Sequence, residues 1–292
     1  MIRILYLTIF FTCILFATDS TKIKQKKEQI LETIDIQDKE AKQTISNIVD
    51  SKFNLKSYKE NYFLPFSYRY KSDFVYEDAH GHTSNNTETE FQVSIRYDFS
   101  ADIFGYGEIY SFGYTQRSWW QIYVPSAFFR ESNYQPEFFV TIPTYKFMKN
   151  SNIKAFKLSF IHQSNGRGGE WERSWNRLSL ATYFLYNGFI TEFEFWYRFK
   201  DKIDYNPDIT HYLGYGNVKL IYPYKKHLLK LSLGGNLFDK KYRTEMIYTY
   251  PLPVRDENDL FLFVKSFNGY GESLIDYNHK VNKISIGISI SR

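Results

Sequence analysis

The chain has 292 residues, of which 20% are aromatic, including 26 Tyr and 27 Phe, and its formal net charge is +5. A soluble α/β enzyme of this length would show helical periodicity and more Ala, Leu and Gly. Here aromatic and β-branched residues dominate short runs, which favours an all-β protein. The basic excess forms no Lys/Arg stripe, so nucleic acid is not expected as a partner.

Residues 1–17 have the pattern of a secretory signal peptide. They contain one positive charge (Arg3), an apolar core from Ile4 to Phe16, and Ala17 before a polar segment. The core is short for a transmembrane helix, although a retained anchor is the alternative interpretation. Cys13 is the only cysteine and lies inside this core. We therefore expect a mature chain without disulfides, cysteine nucleophiles or zinc–thiolate sites.

Residues 18–60 are polar and rich in lysine, and no chemistry is visible in them. A few aliphatic positions could form one weakly amphipathic helix, namely Ile30, Leu31, Ile34, Ile45, Ile48 and Val49. We favour the alternative, a solvated and partly disordered segment on the periplasmic side.

From residue 61 onwards, apolar and polar residues alternate with the period of two that is typical of β-strands. About twelve such runs start near residues 61, 90, 108, 134, 154, 174, 190, 211, 228, 242, 260 and 282. A soluble sandwich would have little room inside for so many bulky aromatics, whereas a transmembrane barrel turns them towards lipid. We predict an all-β fold, a twelve-stranded antiparallel transmembrane β-barrel over residues 61–292.

Short and long connections alternate along the predicted barrel. An even strand count places both termini on the periplasmic side, where connections are short, and the longer loops outside. The tight turns at 186–188 and 225–227 fall on the periplasmic side of this count. The longer segments fall on the outer side, namely 71–89, 121–133, 165–173 and 267–281. The 165–173 loop is thus predicted at the outer-leaflet interface.

Three polar residues with catalytic chemistry flank the 165–173 loop. His162 and Ser164 extend the apolar face of one run, and Asn176 lies on the apolar face of the next, so strand parity places all three against lipid. His162 and Ser164 are within hydrogen-bond reach, and Asn176 could fix the tautomer of His162. A polar trio on a lipid face costs stability, which favours a functional reason. From spacing alone, the alternative is that this histidine and serine lie in the interfacial belt by chance.

Several motifs resemble the outer-membrane phospholipase A family. They are HQSNGR (162–167), SWNR (174–177), YTQRSWWQ (114–121), FRESNYQP (129–136), YNPDITHYLGY (205–215) and GYGESLIDYN (269–278). The resemblance runs from about residue 60 to the C-terminus. It implies a barrel in the Gram-negative outer membrane, with its site towards the outer leaflet. It also implies A1, A2 and lysophospholipase activity on membrane phospholipids, activated by calcium and by homodimerisation.

The resemblance also assigns roles to individual residues. It implies that Ser164 is the nucleophile, that His162 is the general base, and that Asn176 orients this base. The backbone N–H of Gly166, together with a calcium-polarised water, would then form the oxyanion hole.

Calcium ligands are implied at the carbonyl of Arg167, at a loop serine that is Glu172 here, and at a serine carbonyl of the partner subunit that aligns with Ser126. A carboxylate at Glu172 could bind calcium well, and the alternative is a solvated loop side chain. Asp204 and Asp208 could bind a second ion, but we favour a role in shaping the YNPDIT turn.

Gln116 is predicted to point into lipid from the face that carries Tyr110, Phe112 and Tyr114. A buried amide needs a partner, and an identical glutamine across a two-fold axis can supply one. The resemblance implies such a subunit contact. The alternative is an interfacial glutamine beside an aromatic belt that Trp119 and Trp120 mark. We expect the five tryptophans in general to belong to this belt or to the lipid-facing surface.

Two other functions remain open at this point. Another barrel lipid hydrolase, such as a lipid A deacylase, would act on lipopolysaccharide. A passive porin-like barrel would conduct ions without lipid turnover, and it gives no reason for a polar trio facing lipid.

Overall fold

The computed structural model describes residues 38–42, 55–72, 74–78, 80–253 and 260–292, together with residues 25 and 29. The predicted signal peptide and the aliphatic positions of the predicted N-terminal helix lie outside these ranges, although residues 39–42 are helical. No helix within the described ranges is long and apolar enough to cross a membrane.

Thirteen β-strands form one antiparallel sheet in the part of the chain that the structure describes. They are β1 (Leu55–Ser57), β2 (Tyr62–Ser72), β3 (Thr87–Ala101), β4 (Ile109–Trp120), β5 (Phe129–Pro143), β6 (Ile153–Ser164), β7 (Ser174–Tyr186), β8 (Phe189–Phe199), β9 (Gly216–Tyr224), β10 (His227–Asn236), β11 (Lys241–Pro251), β12 (Phe261–Gly269) and β13 (Val281–Ser289). From β2 to β13 each strand pairs with its neighbour in sequence, and β13 pairs back with β2. The predicted closed barrel of twelve antiparallel strands is confirmed.

The sheet begins a few residues before the predicted start of the barrel. β1 and β2 pair with successive parts of β3, so the two strands lie end to end along it. Between them the chain turns into the lumen, where the ring of Tyr58 stacks on Phe139 at 5.0 Å and its hydroxyl donates to Glu137 at 2.9 Å. This inward segment fills part of the barrel beside β4 and β5.

The two faces of each strand differ as the alternation predicts. In β6, Leu158 and Phe160 are 44% and 48% exposed, whereas Lys157, Ser159 and Ile161 between and beside them are buried. A strand of about ten residues tilted by about 45° spans the roughly 25 Å apolar band of an outer-membrane barrel. The exposed apolar side chains therefore form a lipid-facing surface.

Paired charges fill much of the lumen. Glu88, Arg130 and Lys283 have fully buried side chains, with 2.8 Å from Arg130 Nε to Glu88 and 3.0 Å from Lys283 Nζ to Glu88. A buried ion is costly to desolvate unless it is paired and hydrogen-bonded. The polar interior and apolar exterior are the reverse of a soluble protein and fit a barrel in lipid.

The prediction that Trp119 belongs to an outer aromatic belt is wrong. Trp119 is 1% exposed, its indole N–H donates to Glu272 Oε1 at 2.6 Å, and the Arg130 guanidinium lies 5.5 Å from its ring centroid. Trp175 and Trp196 are also buried. Adjacent residues of a strand face opposite sides, so only one residue of the Trp119–Trp120 pair can face lipid, and the lumen offers the indole an acceptor.

The connections singled out in the sequence analysis lie at opposite barrel ends as predicted. The 165–173 loop lies at the same end as the connections β2–β3, β4–β5, β8–β9, β10–β11 and β12–β13, which we call the loop end. Length does not separate the two ends throughout, because the β10–β11 connection (237–240) is shorter than the β5–β6 connection (144–152) at the other end. At the other end, Asn187 and Gly188 form a two-residue turn with φ of 48° and 80°, as in a type I′ hairpin. A short helix, α1 (Ile209–Leu213), packs against Trp175, Trp196 and Tyr277 near the loop end.

Candidate active site

The strand register brings His162 and Asn176 directly opposite each other. β6 and β7 pair antiparallel with His162 aligned to Asn176 and Ser164 aligned to Ser174. His162, Ser164 and Asn176 are all half-buried on the outward face, in line with exposed leucine and phenylalanine side chains. The predicted trio therefore lies on the lipid-facing surface beside the loop end.

A hydrogen bond joins the histidine and the asparagine. The distance from His162 Nδ1 to Asn176 Oδ1 is 2.8 Å. An amide oxygen can only accept, so the bond requires the proton of neutral His162 on Nδ1. The lone pair is then on Nε2, which is the form that a general base needs.

Ser164 is two residues further along the same strand face. Among the residues that the structure describes, no hydrogen bond joins its hydroxyl to His162. Catalytic hydrogen bonds are often long in the absence of substrate and shorten in the substrate complex. Ser164 therefore lies on the same strand face as the base, at the end of β6.

Asp201 extends the group beyond the predicted trio. Asn176 Nδ2 donates to Asp201 Oδ1 at 3.1 Å, with Oδ2 at 3.5 Å. β8 ends at Phe199, which is aligned with Asn176, and Asp201 follows two residues later. Local sequence patterns do not single out this carboxylate. The β7–β8 register is the signal that could have found it.

Asn165 holds the loop that follows the serine. Asn165 is only 4% exposed. Its Oδ1 accepts from the backbone N–H of Arg173 at 3.0 Å and from that of Arg167 at 3.3 Å. Its Nδ2 donates to the carbonyl of Trp171 at 2.8 Å. One buried amide therefore ties both ends of the compact 165–173 loop, which contains a 3₁₀ turn at Gly169–Trp171. Sequence reasoning missed this role, because the asparagine contacts form only when the loop folds back.

Gly166 adopts a conformation that favours glycine. Its φ is 66°, and an added Cβ would come within 3.0 Å of Tyr134 Cε2. Left-handed backbone costs other residues about 1–2 kcal/mol. The position is therefore restricted to glycine for conformational and steric reasons, which fits a backbone donor held in a set orientation.

The side chain of Arg167 anchors the loop to the barrel. Its guanidinium contacts Glu131 Oε2 at 3.2 Å and donates to the hydroxyl of Tyr76 at 2.6 Å and to the carbonyl of Arg130 at 2.6 Å. A guanidinium is a donor only, so the backbone carbonyl is the group of Arg167 that could ligate a cation. The anchoring partners come from β5 and the β2–β3 connection and were not predicted.

The predicted calcium ligands are divided between two loops. Arg167 and the half-buried Glu172 belong to the 165–173 loop, whereas Ser126 lies in the β4–β5 connection. The part of the chain that the structure describes contains no group of three or more His, Cys, Asp or Glu that could hold a metal ion. Carbonyl and carboxylate oxygens are donors that calcium prefers, but calcium takes 6–8 of them. The oxygen donors at Arg167, Glu172 and Ser126 are of the type that calcium binds, but one chain supplies too few of them to complete a calcium site.

Asp204 and Asp208 have protein partners. Both carboxylate oxygens of Asp204 accept from Arg198 Nη2 at 2.7 Å, and Oδ1 accepts from the backbone N–H of Asn206 at 3.2 Å. Asp208 accepts from the hydroxyl of Tyr277; burial, followed by this hydrogen bond, raises the pKa of Tyr277. These contacts favour the interpretation that both aspartates shape the β8–β9 connection.

Gln116 lies half-buried on the outward face of β4, as predicted. Its Nε2 donates to Ser118 Oγ at 3.3 Å, and its Oε1 accepts from the hydroxyl of Tyr114 at 3.3 Å. A side-chain amide has two N–H donors and two acceptor lone pairs. One donor and one lone pair remain for a partner from outside the chain.

Known proteins resemble this chain in fold and in sequence. A family model described as phospholipase A1 matches residues 37–290. The phospholipase A1 of Proteus vulgaris is 31% identical over 248 residues, covering 83% of this chain and 83% of that protein. Outer membrane phospholipase A from Escherichia coli superposes with a TM-score of 0.73 at 29% identity, covering 85% of this chain and 97% of that one. The Salmonella typhi outer membrane phospholipase dimer with bound calcium has a TM-score of 0.74 at 28% identity, with coverages of 85% and 97%.

Proposed function

The chain belongs to the phospholipase A1 family of ester hydrolases, and we propose that it is a calcium-dependent A1/A2 phospholipase and lysophospholipase with a Ser164–His162–Asn176 triad. Its closed barrel and its family fit a Gram-negative outer-membrane protein. The observation that carries the proposal is the hydrogen-bonded His162–Asn176 pair on the lipid-facing side of β6 and β7.

The chemistry follows from the atoms that this pair leaves available. His162 Nε2 takes the proton of Ser164 as the hydroxyl oxygen attacks the acyl carbonyl carbon, and the Nδ1–H of the resulting imidazolium stays bonded to Asn176 Oδ1. The backbone N–H of Gly166 donates to the developing oxyanion. His162 then returns the proton to the departing lysophospholipid oxygen. Water, deprotonated by the same nitrogen, attacks the serine ester, and His162 passes this proton to Ser164 Oγ as the fatty acid leaves.

The lipid-facing position explains how a phospholipid reaches the triad. Exposed Leu158 and Phe160 on β6 and Leu178 and Leu180 on β7 form an apolar surface next to the three residues. An acyl chain can lie against this surface while its ester stays at the interface. Substrate would therefore approach sideways within the outer leaflet, and hydrolysis would respond to phospholipid that reaches that leaflet.

Calcium would bind at the carbonyl of Arg167, the carboxylate of Glu172 and the carbonyl of Ser126 of the partner subunit. The ion, when bound, supplies positive charge that stabilises an oxyanion. Because one chain offers too few oxygen ligands, the site calls for a second copy of the chain. The calcium-bound dimer of the Salmonella typhi relative supports this arrangement.

Dimerisation would be the step that switches the enzyme on. In a monomer the calcium site lacks its third protein ligand. Gln116 retains one donor and one acceptor on the lipid-facing surface, and the same residue of a second copy can satisfy both across a two-fold axis. We infer an inactive monomer and an active homodimer.

Fatty-acid release from mixed phospholipid–detergent micelles tests the proposal. Wild type with calcium should release fatty acid, and Ser164→Ala and EDTA-treated wild type should not. Undiminished release by Ser164→Ala would refute the triad, and release that is insensitive to EDTA would refute the calcium requirement. Lipopolysaccharide offered in place of phospholipid should give no free fatty acid, which separates this activity from lipid A deacylation.

A further inference from the structure

Asp201 is the acidic partner behind the asparagine of the triad. It follows the end of β8, is half-buried, and accepts from Asn176 Nδ2 at 3.1 Å. The opposite end of the same amide, Oδ1, lies 2.8 Å from His162 Nδ1. Four side chains from β6, β7 and the β8–β9 connection thus form a line from Ser164 to Asp201.

The two ends of an amide are chemically different, and the line depends on which end faces the histidine. If the Asn176 amide were reversed, its NH₂ group would face His162 Nδ1 and its oxygen would face a carboxylate. The first contact would select the Nε2–H tautomer, which cannot take a proton from Ser164. The second would place two acceptors against each other at hydrogen-bond distance. A carboxylate beside Asn176 disfavours this reversed orientation.

We propose that Asp201 is a positioning residue of the active site, which holds Asn176 with Oδ1 towards His162 and so keeps His162 in the tautomer that can act as a base. The inference rests on the proposed triad chemistry. The negative charge of Asp201 also polarises the intervening amide, which stabilises the imidazolium formed during attack. Asp201 touches neither substrate nor the reacting atoms.

Removing the carboxylate should slow the chemical step and leave substrate binding intact. Hydrogen bonds to charged groups are worth roughly 10- to 100-fold in an equilibrium or rate. Asp201→Ala should lower kcat by about tenfold or more with KM within about twofold of wild type. Asp201→Asn keeps an acceptor oxygen but loses the charge, so its kcat should lie between that of wild type and that of Asp201→Ala. The reaction rate of Ser164 with a sulfonyl fluoride should follow the same order.

A reciprocal exchange separates positioning from general structural support. Asn176→Asp alone puts two carboxylates at about 3 Å, where like charges repel, and should lower kcat by at least about tenfold. Adding Asp201→Asn places a carboxylate on His162 and an amide donor behind it. The double variant should recover at least about tenfold in kcat over Asn176→Asp. A residue that merely supports the fold would not produce this recovery.

Controls keep the outcomes distinct. Asp239→Asn removes an exposed carboxylate from the β10–β11 connection at the same barrel end, where it contacts His211 and Asn236. This variant should retain wild-type kcat. Heat-modifiable migration on gels reports folding of every variant. Wild-type kcat in Asp201→Ala, or a double variant no more active than Asn176→Asp, would overturn the role of Asp201. Full activity in Ser164→Ala would instead overturn the proposed function itself.

Discussion

Arg130 holds together the buried charges of the lumen, and its replacement should destabilise the barrel strongly. Its guanidinium contacts three buried carboxylates, with 2.8 Å to Glu88, 3.1 Å to Glu272 and 2.9 Å to Asp276. Burial alone would raise the pKa of Glu272, but the cations of Lys283 and Arg130 hold it below the usual range. Arg130→Met keeps most of the side-chain volume and removes the charge.

The size of the effect follows from what Arg130→Met leaves behind. Lys283 still contacts Glu88 at 3.0 Å and Glu272 at 2.6 Å, but Asp276 loses its guanidinium partner. Removing one partner of a buried ion pair costs about 3–5 kcal/mol, because the remaining charge is stranded in a poorly solvated site. We expect the free energy of unfolding to fall by about that amount.

Equilibrium unfolding by guanidinium chloride in detergent micelles, followed by tryptophan emission, measures this change. Lys146→Met is the matched control. Lys146 forms a salt bridge with Asp102 at 3.3 Å, and the two side chains are 33% and 24% exposed. Salt bridges that are this exposed contribute about 0–1 kcal/mol. Adding Asp276→Asn to Arg130→Met should recover part of the loss, because the stranded charge is then removed. A loss below about 1 kcal/mol for Arg130→Met would refute the reasoning.

Three further outcomes are expected at the site. Gly166→Ala should lower kcat about 100-fold by displacing an oxyanion donor. Gly168 has a φ of −117° and open space where a Cβ would lie, so Gly168→Ala should retain activity. Equal kinetics of the two variants would contradict the role of the Gly166 backbone as an oxyanion donor. Glu172→Gln should raise the calcium concentration for half-maximal activity about tenfold, and the exposed Glu170→Gln should not; a calcium titration decides. Gln116→Ala should weaken calcium-dependent dimerisation about fivefold in sedimentation experiments in micelles, and unchanged association would exclude this contact.

Strand alternation made most of the barrel predictable. The side-chain period of two is a local property, so the outward face of β6 and β7 and the lipid-facing position of His162, Ser164 and Asn176 could be derived without knowing any neighbour. The number of barrel strands followed from counting such runs. Two runs depart by five residues each. The run predicted to start near residue 134 begins at Phe129 as β5, and the run predicted near residue 211 begins only at Gly216 as β9. In the second case Ile209 and Leu213 are four residues apart and belong to α1.

Contacts between distant segments were not predictable from local patterns. The side-chain contacts of Asn165, Arg167 and Asp201 have no local signal, because their partners are brought to them by strand register and loop closure. The inward direction of Trp119 was missed for a related reason: a Trp-Trp pair suggests an interfacial belt, but parity allows only one of the two to face lipid. The signal peptide and the role of residues 18–60 stay predictions.

The amino-acid sequence by itself determined the barrel class, the direction in which most strand residues point, and the residue types available for an acyl-transfer triad. These depend on alternation and on side-chain chemistry, which are properties of short segments. The tertiary structure alone decided that His162 pairs with Asn176 at hydrogen-bond distance, that Asp201 backs the asparagine, and that Asn165 and Arg167 hold the loop. Such pairs depend on the register between strands and on loop closure, which no single segment encodes.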